Sequence, residues 1–76
     1  MNNTRRKAIS KIMEQIESLR SDLEDLLSEE QEAFDNMPEG LQYSKRGERM
    51  EEVISYLEDA VSGLEEVNEN LDYAIE

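Results

Sequence analysis

Apolar residues recur at alternating steps of three and four in each half of this chain, and a pair of long helices is the arrangement that accommodates such spacing. In the first half Ile9, Ile12, Ile16, Leu19, Leu23, Leu26 and Ala33 keep the rhythm. Written as a heptad, Ile9, Ile16, Leu23 and Glu30 occupy a, while Ile12, Leu19, Leu26 and Ala33 occupy d. In the second half Met50, Leu57, Leu64 and Leu71 occupy a, while Val53, Ala60, Val67 and Ala74 occupy d. No strand-type alternation competes with either run. Ordered helix is therefore expected even though 37% of the residues are charged, a level that without periodicity would suggest disorder.

The break between the two runs is equally marked. Asn36-Met37-Pro38-Glu39-Gly40 holds the chain's single proline, which disfavours helical geometry at Met37. Asn36 is expected to stop the first helix in the left-handed conformation, and Gly40 to free the turn. Thr4 and Ser44 are the expected N-caps. The layout is one domain over 1–76, with helix 4–35, linker 36–43 and helix 44–76. Two rods of roughly 48 Å on a short link fold back as an antiparallel hairpin, so the expected class is all-α.

Charge favours the same pairing. Arg5, Arg6, Lys7 and Lys11 open the chain without an acid, and no base follows Arg49. Folding back lays the basic start beside Glu65, Glu66, Glu69, Asp72 and Glu76, and sets Lys45, Arg46 and Arg49 near Glu29, Glu30, Glu32 and Asp35. Such exposed pairs, worth about 0–1 kcal/mol each, select topology more than they stabilise it. Glu30 is expected to reach Arg49 or Lys45. Asn68 is either a register-fixing polar residue or simply exposed near the open end.

The apolar stripe is wider than a and d. The e column adds Met13, Leu27 and Phe34 in the first helix, and Ile54, Val61 and Ile75 in the second. A hairpin covers two columns, so these side chains are expected to form an oligomer interface, giving a homodimeric four-helix bundle or a higher homo-oligomer. Gly63 beside Ala60 would be a flat patch for another helix, or merely a weak point.

Composition excludes several functions. With no Cys, no His and no Trp, the chain lacks thiolate chemistry, the usual general base and the commonest metal ligand. No catalytic residues, metal site or cofactor are expected, and the chain reads as a non-enzyme. A net charge of −12, from 20 acids against 8 bases, opposes binding to nucleic acid or anionic membrane. No apolar run approaches a membrane span and no signal-peptide core follows the start, so a cytoplasmic protein is expected.

Two constellations remain. Glu51, Glu52, Glu58, Asp59, Glu65, Glu66 and Asp72 form an acidic ladder at seven-residue spacing along one edge of the second helix. It reads as a solubilising face, as a docking face for a basic partner protein (a DNA mimic at its sharpest), or as a cation site, the last weakened by the lack of a Ca²⁺-loop pattern. Around the linker, Gln42, Tyr43, Ser44, Lys45, Arg46 and Arg49 gather cations, hydrogen-bonding groups and an aromatic ring at a helix start, where a small anion such as a nucleotide or phosphate could bind. The competing reading has Glu32, Asp35 or Glu39 neutralise those cations. No Gly-rich phosphate cradle is present.

The run Glu29-Glu30-Gln31-Glu32-Ala33-Phe34-Asp35-Asn36-Met37-Pro38-Glu39-Gly40-Leu41-Gln42, with Ser44 and Gly47-Glu48, resembles a family of short acidic helical-hairpin proteins of gut bacteria and their phages and prophages. These read as helix, D-N-[LM]-P-E-x-L-Q-x-S linker, helix, and only the linker is specific. Lys45 departs from the acid or small residue of that pattern. The resemblance implies an accessory protein of mobile-element type that acts by binding, for instance by blocking a host defence component or sequestering a signal. Three functions are thus carried forward: a stoichiometric binder of a host protein through acidic helix faces, an oligomeric sponge for a small anion near 41–49, and a structural assembly module.

Overall fold

A computed structural model describes residues 1–76 as three helices, α1 (Asn3–Asp35), α2 (Glu39–Gln42) and α3 (Lys45–Ile75). The long helices, of 33 and 31 residues, pack against each other as an antiparallel hairpin measuring 58 × 15 × 12 Å. No helix is long and apolar enough to cross a membrane. Ser44 caps α3 as expected, its hydroxyl accepting from the Gly47 N–H at 3.3 Å. The first cap is Asn2 rather than Thr4: its Oδ1 accepts from the Arg5 N–H at 2.8 Å, which starts the helix one residue earlier.

The linker differs from expectation for a physical reason. No residue has a positive φ, and Asn36 ends α1 in the right-handed region. The turn is made by an added helical turn instead. Pro38, which donates no N–H, stands at the head of α2, and its carbonyl accepts from Leu41 N at 2.8 Å and Gln42 N at 3.2 Å. Gln42 then donates from Nε2 to the Phe34 carbonyl at 3.0 Å, beside the bond that carbonyl accepts from Met37 N at 3.1 Å, and so ties α2 to the end of α1. At the open end of the hairpin, Arg6 Nε donates to the Ile75 carbonyl at 3.2 Å, placing a cation on the negative end of the α3 dipole.

The seam is not the expected a/d seam. It is built from a and e: Ile9, Met13, Ile16, Leu23, Leu27 and Phe34 of α1 are half-buried, facing Met50, Ile54, Leu57, Val61, Leu64, Leu71 and Ile75 of α3. Ile54 and Val61 are the best-covered apolar side chains, at 6% and 7% exposure. The side chains expected to form an oligomer interface, Met13, Leu27, Phe34, Ile54, Val61 and Ile75, therefore lie inside the hairpin. What remains outside is the d column apart from half-buried Val53, with Ile12, Leu19, Leu26 and Val67 exposed by 47, 57, 53 and 43%. Side-chain volume in α3 accounts for the choice. Its e column offers Ile54, Val61 and Ile75 where d offers Val53, Ala60 and Ala74, and these three outweigh the one reverse case, Asn68 against Val67. Burying e removes more apolar area from water, at about 25 cal/mol per Å².

Gly47 is the glycine the turn requires. It is buried, and a Cβ there would stand 2.1 Å from the Gln42 carbonyl oxygen and 2.7 Å from that of Leu41. A Cβ at Gly40 would meet nothing within 4 Å. Gly47→Ala is expected to destabilise the protein by about 1–3 kcal/mol through overpacking against backbone. Gly40→Ala, in a conformation alanine tolerates, is expected to stabilise it by about 0.4–1 kcal/mol. Urea denaturation of the two variants checks both signs, and equal effects at the two positions would contradict this packing.

Candidate functional site

In an antiparallel pair the two helices wind in opposite senses past the same observer, so matching flanking columns of both lie on the same side of the seam. The hairpin thus has two unlike broad sides. Beyond e lie the b and f columns, which carry Glu14, Glu17, Glu24 and Asp35 from α1 and Glu48, Glu51, Glu58, Glu65, Glu69 and Asp72 from α3, with Lys7 as their one cation. Beyond a lie d and g, which carry the exposed apolar residues together with Ala8, Gln15, Tyr56, Ala60, Gly63, Asn70 and Ala74. The charges on that second side are Arg5, Asp22 and Glu29 of α1 and Arg46 and Arg49 of α3.

All seven ladder residues are exposed. Glu51, Glu58, Glu65 and Asp72 face the acidic broad side, and Glu52, Asp59 and Glu66 line its outer edge. They spread along the rod and do not converge: no three acidic groups are placed to hold a metal ion. Two open clefts mark this side. Ser28, Gln31, Asp35 and Glu58 line one towards the linker, and Glu14, Glu17, Asn68 and Asp72 line the other towards the open end.

Between the clefts sits Arg20, a residue the sequence reading passed over. It pairs with Glu17 and Glu24 within α1 and approaches Glu65 of α3 to 3.8 Å, the one ion pair between the long helices. The hydrogen bond from Arg20, ahead of its charge, holds the Glu17 carboxyl below the ordinary carboxylate range. Glu17 and Glu24 hold the guanidinium still more firmly protonated. Spacings of three and four to flanking acids were the available signal. Arg20 offsets one of the three carboxylate charges gathered at the middle of the side.

Pairing at the two ends is not by the expected ion pairs. Arg6 is engaged by the Ile75 carbonyl and by Asn3, and Arg49 pairs with Glu52 on its own helix at 3.1 Å. Glu30 is half-buried and forms no ion pair with Arg49 or Lys45. The candidate anion site is likewise not assembled within one copy. Gln42 is used on the Phe34 carbonyl, and the Ser44 hydroxyl donates to the Leu41 carbonyl. Tyr43 points away at 78% exposure, Lys45 and Arg46 are exposed, and neither cleft includes any of them.

Comparison with protein-family models, with curated proteins and with solved structures yields no match.

Asn68 is not the exposed residue of the simpler expectation. It sits in the e column, half-buried, and its Nδ2 donates to the Met13 carbonyl at 3.1 Å, tying the helices in register. Its Oδ1 is buried without a partner. The Met13 carbonyl lies mid-helix, where the N–H four residues on already satisfies it. Asn68→Leu removes the orphaned oxygen and fills the seam, so it is expected to raise stability by about 1 kcal/mol. Chemical denaturation checks this; a destabilised variant would show that the register bond outweighs the buried oxygen.

Proposed function

We propose that this chain is a non-enzymatic binding protein that acts stoichiometrically on a basic partner protein through its acidic side, and that it does so as a homodimer forming a four-helix bundle. The observation that carries the reading is the segregation of charge. Of the seven ladder carboxylates, Glu52 and Glu65 have cation neighbours, and the rest have none. An unneutralised row of acids along a rigid rod attracts a basic surface at long range and sets its register on contact. The resemblance of the linker to phage and prophage proteins supports a host component, a defence protein among the choices, as that partner. The anion-sponge reading has less support, because the groups it needs around 41–49 are engaged in closing the turn or stand apart.

Changing Glu58, Asp59, Glu65 and Glu66 together to Lys is expected to abolish capture of the basic partner, and raising salt is expected to weaken capture by the unmodified chain. Partners that survive the reversal would contradict the acidic docking side. Heating the purified protein and weighing what it releases covers the remaining option: a stoichiometric small anion would favour the sponge.

A further inference from the structure

We propose that the side opposite the acids is covered by a second copy of the chain, with the twofold axis running along the hairpin so that α1 of each copy lies over α3 of the other. This deepens the homodimer of the proposed function by naming the surface and its pairing. One hairpin alone keeps little dry: Ile54 and Val61 are its only buried apolar side chains. Ile12, Leu19, Leu26 and Val67 meanwhile stand roughly half exposed along one continuous side. That side measures 58 by 15 Å, a footprint on the order of 800 Å² per copy, which is the size stable protein pairs bury on each partner.

The side fits its own image. The contacts Arg6–Ile75, Met13–Asn68 and Arg20–Glu65 set the register of the hairpin and put Leu19 level with the turn of α3 from Ser62 to Glu66, in which Gly63 is the residue on the apolar side. Rotation about the long axis therefore carries the Leu19 ridge of one copy onto Gly63 of the other, where a Cβ would meet nothing within 4 Å. A twofold axis across the hairpin would stack ridge on ridge and leave the Ala60–Gly63 strip uncovered. Charge agrees with the first arrangement: it brings Glu29 of one copy within about one turn of Arg49 of the other, and it leaves both acidic sides facing outward. The resulting four helices alternate in direction around the bundle.

The chain has no cysteine, so introduced thiols report the pairing directly. Sedimentation equilibrium of the full chain at micromolar concentration should read twice 8.8 kDa. Leu19→Cys and Gly63→Cys chains, unfolded together, refolded and oxidised, should cross-link to each other far more than either does to itself. A mass of 8.8 kDa with helicity retained, or preferential self-linking of Leu19→Cys chains, would overturn the proposal. The chain with Lys at 58, 59, 65 and 66 should remain dimeric. Partner binding retained by that variant with the dimer intact thus counts against the acidic docking side alone, and partner binding by a monomer counts against this interface alone.

Discussion

Two helices packed side by side can each bury about two adjacent columns of side chains, and this chain supplies three. The geometry of a rod on a rod forces one column out, and the identity of that column determines what the molecule can do. Here α3 makes the choice, because Ile54, Val61 and Ile75 fill the seam better than Val53, Ala60 and Ala74. Seating a and e turns d outward on both helices. The antiparallel direction then puts the two d columns on one side, and the acids beyond e on the other.

The same constraint organises the electrostatics. A net charge of −12 on 76 residues is tolerable in a compact rod only if the charges are spread and kept apart from any surface that must pack. The heptad does both. The acids of α3 keep to b, c and f, seven or more residues apart within each column, and none stands at d or g. Arg20 relieves the most crowded point, where Glu17, Glu24 and Glu65 meet. As pH falls through the depressed Glu17 value that contribution is lost.

Much of the fold was legible in the residues. The two long helices follow from the three-four rhythm, the antiparallel return from the short Pro38 linker, and the α3 cap from Ser44. The seam was not legible, because d and e lie 100° apart on the helix and both are apolar here; only summed side-chain volume across the pair separates them. The end pairings failed for another reason. Arg6 found a bare helix carbonyl and Arg49 found Glu52 one turn away, and local partners cost a flexible cation less entropy than distant ones. Gly47 stood in the linker motif with no apparent role until α2 placed the Gln42 carbonyl against it. Of the site candidates, the seven ladder acids are laid out as the spacing implied, whereas the residues of 41–49 are dispersed by their duties in the turn.

The a/e seam is the claim on which both sides of the hairpin depend, and methyl-to-methyl nuclear Overhauser contacts read it directly. In the assigned protein, Val61 should show contacts to Leu23, and Ile54 to Leu27, within one chain. Contacts from Val53 and Val67 to Leu26 and Leu19 in their place would mean that d, not e, fills the seam, and would reverse the assignment of the exposed apolar side.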